Sequence, residues 1–185
     1  METKDSRHSV IMAGIGGKGV LMAGQILAKA ALPQYKYVSW TPTYYTLMRG
    51  GASECTVIMS NEHPGAPVLP LARKVVVFEP SQLKPFQGRV RPGGILITES
   101  AGLPEIDRDD VRVLKVPAVD VASKLGDVMA ANFVLLGAYI GVSKAVRPEL
   151  VEAELEKRFG HKGKVLDINR GAFREGLKLA DEAGF

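Results

Sequence analysis

The stretch Gly14-Ile15-Gly16-Gly17-Lys18-Gly19 constrains this chain more than any other. A short apolar run at residues 9–13 precedes it, and a run with helical spacing at residues 20–32 follows it. That order predicts a strand turning through glycines into the first turn of a helix. Glycine accepts positive φ and lets a ligand come close to the backbone. The first N–H groups of the helix have no intrahelical partner. Together with the helix dipole they favour a phosphate, a carboxylate or another polar group in the turn. A tight strand-to-helix connection with no ligand would show the same local spacing.

The Gly-x-Gly-x-x-Gly spacing raises dinucleotide binding first. That mode needs an acidic residue about 20 residues on, at the end of the next strand, for the ribose hydroxyls. Val38-Ser39-Trp40-Thr41 stand there instead, without Asp or Glu. A Walker loop is excluded too, because Gly19 is followed by Val20 rather than by Lys and Ser or Thr.

At 185 residues the chain is long enough for one domain with a substantial core, so residues 1–185 are read as a single domain. The net charge of +4 is modest, and Lys and Arg are scattered rather than gathered into a basic strip. That pattern gives no support to a nucleic-acid partner. A lone cysteine, Cys55, excludes an internal disulfide, a Cys-rich metal site and a self-contained iron–sulfur cluster. It fits a reducing compartment, and with no secretory pattern at the N-terminus the expected location is cytoplasmic. The longest apolar stretch, residues 129–142, holds Asn132 and several glycines. It is too short to span a membrane and reads as a buried helix, so no membrane partner is expected.

Apolar runs with strand and helix character alternate along the chain. Strands are expected at residues 9–13, 37–40, 53–59, 74–78, 95–98 and 111–116. The run at 53–59 alternates, with Cys55, Val57 and Met59 on one face and Glu54, Thr56 and Ile58 on the other, as in a half-buried strand. Residues 74–78 and 95–98 are β-branched runs typical of strands buried on both faces, and Arg91-Pro92-Gly93-Gly94 marks a turn before the second. The C-terminal third turns helical, at residues 119–125, 129–142, 148–159 and about 169–182. The reading is an α/β fold: one three-layer, Rossmann-like domain whose sheet is mixed but mostly parallel, with a helical C-terminal third. The mixed sheet follows from residues 53–59, which have no crossover helix before them.

A second constellation lies in Pro42-Thr43-Tyr44-Tyr45-Thr46-Leu47-Met48-Arg49-Gly50-Gly51. Hydroxyls, aromatic rings and one arginine gather in a glycine-ended loop just after the second strand. Loops at the carboxyl ends of strands line the ligand crevice of such sheets, so this loop is placed to face the Gly14–Gly19 turn. Arg49 suits a carboxylate or phosphate, which its planar fork binds bidentately. A packed surface loop with Arg49 paired to a local acid is the plainer reading.

Together these stretches resemble the gamma subunit, or equivalent domain, of the 2-oxoacid:acceptor oxidoreductases, which act on pyruvate, 2-oxoglutarate, 2-oxoisovalerate or indolepyruvate with ferredoxin. The matching pieces run from Gly14 to Gly24, through Pro42-Thr43-Tyr44 with Arg49-Gly50-Gly51, to Pro92-Gly93-Gly94, Val116-Pro117-Ala118, Ala131-Asn132 and Leu136-Gly137-Ala138. The sequence departs from the family pattern at Lys18, where Gln is usual, and at Tyr45 and Leu47, where Gly and Glu are usual.

The resemblance implies a complex that converts a 2-oxoacid to an acyl-CoA and carbon dioxide with thiamine diphosphate, magnesium, iron–sulfur clusters and coenzyme A. It implies that none of these is bound by this chain alone and that the chain carries no catalytic residue and no metal ligand. Thiamine-binding alpha and beta subunits and a ferredoxin-like delta subunit are the expected partners, with ferredoxin as acceptor. An isolated chain is open to homodimerising in their place. The residues expected to complete the coenzyme A or substrate side are Gly14, Gly16, Gly17, Lys18, Gly19, Thr43, Tyr44, Arg49, Gly50, Gly51 and Asn132. A free-standing nucleotide- or CoA-binding module without a redox role is the alternative, and a purely structural interface subunit is a third reading.

Other residues read as structural. Cys55 belongs to the apolar face of its strand. His8, His63 and His161 have no ligand spacing. Asn132 reads as a helix cap or a satisfied buried polar group, and Gly137 and Gly141 as positions of close helix packing.

Overall fold

The computed structural model of the chain describes residues 7–44 and 51–185. Among these residues six strands form one sheet in the order β2-β3-β1-β4-β5-β6. They are β1 (Arg7–Ile15), β2 (Tyr37–Tyr44), β3 (Ala52–Ser60), β4 (Ala72–Val77), β5 (Val90–Glu99) and β6 (Arg112–Val116). β1, β4, β5 and β6 pair in parallel, and β3 runs antiparallel to both β1 and β2. The sheet is therefore mixed and mostly parallel, as the missing crossover before β3 predicts. Too few residues separate β2 from β3 for the crossover that a parallel pair needs.

The helices are α1 (Val20–Ala31), α2 (Leu83–Gln87), α3 (Ala118–Leu125), α4 (Ala131–Ser143), α5 (Pro148–Phe159) and α6 (Gly163–Glu182). They cover the sheet unequally. α1 and α3–α6 share one large apolar cluster with the side chains of Val10, Met12, Cys55, Val57, Val76 and Ile97. The other face is thin: Ile11, Ala13, Val75, Val77 and Leu96 meet Leu83 and Phe86 of α2. β1 and β4 lie at the centre with both faces covered, so Val10–Ala13 and Val75–Val77 are continuous apolar runs without measurable exposure. α4 is apolar nearly all round because it is wrapped by neighbours on every side.

Several boundaries differ from the sequence reading, each for a physical reason. Residues 42–44 belong to β2 rather than to a loop, because Pro42, Thr43 and Tyr44 continue the ladder opposite Cys55, Glu54 and Ser53. β3 is buried on both faces rather than half-buried, with Glu54, Thr56 and Ile58 as covered as Cys55 and Val57. Arg89 brings this about: it pairs with Glu54 while donating to the carbonyls of Leu69 and Pro70, which pins the connector after β3 near that face. The turn expected at residues 91–94 lies inside β5, where Gly93 adopts φ 71° and the register with β4 slips. That is a bulge rather than a break. α2 and the 3-10 turn before it (Pro80–Gln82) escaped the sequence reading because both are too short to show a period. A 3-10 turn at Val128–Ala130 delays α4 to Ala131, and α6 begins at Gly163, earlier than its apolar stripe suggests.

Candidate functional site at the sheet switch point

α1 leaves β1 on the side of β3 and β2, whereas the chain leaving β4 passes to β5 on the other side. The carboxyl ends of β1 and β4 are thus the point where the winding reverses. Open α/β sheets leave a crevice at such a point. The two strand ends are tied there, with the Phe78 N–H donating to the Ala13 carbonyl at 2.7 Å.

The glycine turn occupies one wall. Gly14 is buried at the end of β1, where a side chain would run into Val20 and Phe78. Gly17 and Gly19 adopt φ 90° and 72°, the left-handed region that favours glycine. The Gly16 N–H donates to the Gly51 carbonyl at 3.0 Å and the Lys18 N–H to the Ile15 carbonyl at 3.2 Å. These two donors shape the turn rather than face a ligand. Gly51 does meet the turn, as the sequence predicts, but through its backbone.

Asn132 reaches the turn from α4. Its Nδ2 donates to the Gly19 carbonyl at 3.3 Å. Its Oδ1 is buried and has no hydrogen-bond partner among the described residues, although the residue is only 4% exposed. The helix-cap reading is thus corrected: α4 has Ala130 at its cap position, and Asn132 bonds across to another helix. The reading of Asn132 as fully satisfied is corrected too, since a buried acceptor left unpaired is uncommon and costs free energy.

Between these walls lies a pocket of about 270 Å³. Gly16, Gly17, Lys18 and Asn132 supply its polar side. Phe78, Val119, Met129 and Leu135 supply an apolar floor and rim. Met129 and Val128 at the rim are 62% and 51% exposed. Lys18 stands at the mouth, where its Nζ pairs with Glu79 Oε2 at 3.0 Å. Glu79 follows the end of β4, so the cation at the mouth is already partly neutralised by the neighbouring strand end.

Glu99, at the end of β5, holds the floor. Its Oε1 accepts from the N–H groups of Ser100 and Ala101 and its Oε2 from Val119 N–H, at 2.8–2.9 Å. This buried carboxylate satisfies a free amide at the start of α3 and so fixes Val119 beside the pocket. Cys55 lies outside the pocket. Burial pushes its thiol up to about 12, so it stays protonated at neutral pH and serves as core.

The structure brings Gly16, Gly17, Lys18 and Asn132 together, with Gly14, Gly19 and Gly51 supporting them. Thr43 sits opposite Glu54, on the thin face and away from the pocket, and Tyr44 pairs through its backbone opposite Ser53. Arg49 and Gly50, like Tyr45 and Leu47, lie outside the described residues. Sequence reasoning missed Phe78, Glu79, Val119 and Met129. The rule that placed the loop after β2 at the crevice applies equally to the end of β4, and would have found Phe78 and Glu79. Among the described residues no cluster of His, Cys, Asp and Glu could hold a metal ion, and no helix is long and apolar enough to cross a membrane.

Residues 9–179 match the family model of pyruvate ferredoxin/flavodoxin oxidoreductase. Ketoisovalerate oxidoreductase subunit VorA of Methanothermobacter marburgensis is 35% identical over 92% of this chain and 36% of its own length, so the chain spans about a third of that relative. The fold matches the crystal structure of a keto/oxoacid ferredoxin oxidoreductase gamma subunit from Geobacter sulfurreducens, with a TM-score of 0.82 at 24% identity, over 95% of this chain and 99% of that one. It also matches a 2-oxoglutarate:ferredoxin oxidoreductase from Magnetococcus marinus, solved with 2-oxoglutarate, coenzyme A and succinyl-CoA, with a TM-score of 0.88 at 22% identity, over 97% of this chain and 32% of that one. A match that runs from β1 into α6 and includes the whole switch-point pocket leaves one assignment: the chain belongs to the pyruvate ferredoxin/flavodoxin oxidoreductase family.

Proposed function

We propose that this chain is a subunit of a thiamine-diphosphate-dependent 2-oxoacid:ferredoxin oxidoreductase, inactive alone, that completes the coenzyme A side of the site. The observation that carries this reading is the switch-point pocket: a glycine turn, an apolar floor and one buried acceptor, Asn132 Oδ1, without a partner among the described residues. Coenzyme A supplies the thiol that takes the acyl group and has a matching chemistry. Its pantetheine arm carries amide N–H groups for an orphan acceptor and methylene surface for Phe78, Val119 and Leu135. Lys18 is placed to meet a phosphate once released from Glu79.

The chain's single cysteine does not fit an iron–sulfur cluster of its own. In this reading the clusters and thiamine diphosphate with its magnesium belong to partners: thiamine-binding alpha and beta subunits and a ferredoxin-like delta subunit, with ferredoxin as acceptor. The family match and the 2-oxoacid oxidoreductase relatives favour this reading over a free-standing nucleotide- or CoA-binding module.

The test is coenzyme A titration of the assembled complex by calorimetry. Asn132→Leu and Lys18→Ala are each expected to weaken coenzyme A binding by about tenfold, the scale of one lost hydrogen bond to a charged or buried group. Glu79→Gln is expected to tighten it, because Lys18 then loses its competitor. The 2-oxoacid KM stays unchanged in all of them. Unchanged coenzyme A affinity in both weakening variants would make the chain a structural interface subunit. Oxidation of 2-oxoacids by the purified chain alone, at rates like those of the complex, would remove the subunit reading.

A further inference from the structure

The opposite end of the sheet holds a second cavity, of about 500 Å³. Arg7, Ser9, Arg73 and Arg91 line it, and the connector carrying Pro64 and Leu69 forms its wall. The placement follows from strand geometry. Side chains two apart share a face, so Arg7 and Ser9 continue the row of Ile11 and Ala13 on the thin side of β1. Arg73 continues the row of Val75 and Val77 on β4, directly beside Ser9 in the parallel register that pairs Val10 with Lys74. Arg91 enters from the start of β5.

These three guanidinium groups are exposed, and none of them takes part in an ion pair among the described residues. The Glu54 carboxylate is taken by Arg89. Arg89 also donates to the Leu69 and Pro70 carbonyls, so the wall of the cavity is fixed. One arginine is thus used up in building the wall, while the other three crowd like charge into one concavity. Such crowding is unfavourable until an anion enters.

We propose that this cavity binds a phosphoryl group carried on a small molecule, with Arg7, Arg73 and Arg91 as its charged donors and the Ser9 hydroxyl as a neutral one. Its size is that of a small-ligand site rather than of a flat docking surface. The arginines come from three different strands. A tetrahedral phosphoryl group presents oxygens in several directions and can take forks from all of them, whereas a single carboxylate offers its lone pairs in one plane. The site lies across the sheet from the switch-point pocket, so it stands independently of the function proposed for that pocket.

Calorimetric titration of the 185-residue chain with inorganic pyrophosphate, at low ionic strength, tests the assignment. Saturable binding at one site is expected. Arg73→Ala and Arg91→Ala should each weaken it by about tenfold, the cost of one charge-assisted contact. Arg73→Glu should abolish it, and Lys178→Ala, a change of charge on α6, should leave it as it was. Circular dichroism of the variants should match wild type, because the three arginines are exposed. Absence of pyrophosphate binding, or its persistence in Arg73→Glu, would overturn the site. Citrate binding as tightly as pyrophosphate would overturn the choice of phosphate over carboxylate.

Discussion

Gly19 and Asn132 stand 113 positions apart in the chain, and each dictates what the other can be. Gly19 opens α1 with φ 72°, and a β-carbon there would sit 2.3 Å from Asn132 Nδ2 and 3.1 Å from Asn132 Cβ. Gly19→Ala is therefore expected to destabilise the chain by about 1–3 kcal/mol, measured by urea unfolding. In an Asn132→Ala background the clash with the amide disappears. The same substitution should then cost little beyond the left-handed backbone penalty, about 1 kcal/mol, because only the 3.1 Å approach to the β-carbon at position 132 remains. Equal costs in the two backgrounds would show that the contact between them carries no strain. At this scale the sequence was a good guide to one side of the site and poor for the other. Gly16, Gly17 and Lys18 are neighbours in the chain, and their spacing announces the turn. Glu79 and Val119 come from distant strand and helix ends, and their roles depend on register and on the Glu99 clamp, neither of which leaves a local pattern.

The α4–α6 crossing shows how an element can be read correctly while its partner goes unseen. Gly137 and Gly141 were legible as packing positions because they are four apart on an apolar helix. Gly176, which receives α4, sits on an amphipathic helix and carries no such signal. A β-carbon at Gly176 would lie 2.0 Å from the Val134 carbonyl oxygen, and one at Gly137 would lie 2.0 Å from that of Phe173. Backbone atoms cannot swing aside, so the two helices would have to part. Gly176→Ala should cost about 3 kcal/mol, which for a domain of this size lowers Tm by roughly 6–12 °C. Gly171→Ala on the same helix makes the control. Its β-carbon would meet only Leu125 methyl groups at 3.6–3.7 Å, and alanine is the better helix former. That variant should melt at or above the wild-type temperature. A similar drop in both would mean that helix propensity, not the close crossing, governs the result. The misreading of β3 belongs to this scale too. Its alternation is real, but Thr56 and Glu54 are buried as well, and Glu54 is held by Arg89 from 35 positions away, which no periodicity describes.

Across the whole molecule the layers are unequal, and the two ends of the sheet carry different chemistry. The alternation of strands and helices revealed three layers and a mixed sheet. It could not reveal that α1 and α3–α6 crowd one face, because helix order says nothing about side. The thin face therefore depends on few interactions, and Arg89 is central among them: it pairs with buried Glu54, lies over the Phe86 ring and holds the Leu69 and Pro70 carbonyls. Arg89→Met removes these bonds and leaves the Glu54 carboxyl buried without its partner. Breaking one partner of such a pair costs about 3–5 kcal/mol, whereas replacing both can be nearly neutral. Arg89→Met is thus expected to lower stability by that order, and Glu54→Gln combined with Arg89→Met should regain most of it. Hydrogen exchange separates local from global effects. In the double variant, amides of the connector after β3 should exchange faster, since its carbonyl anchors are still missing. Amides of Val10–Ala13 and Val75–Val77, sealed at the centre of the sheet, should keep their protection. Restored stability with an equally slow connector would assign the anchoring to the apolar wall around Phe86 and Val90 instead of to Arg89.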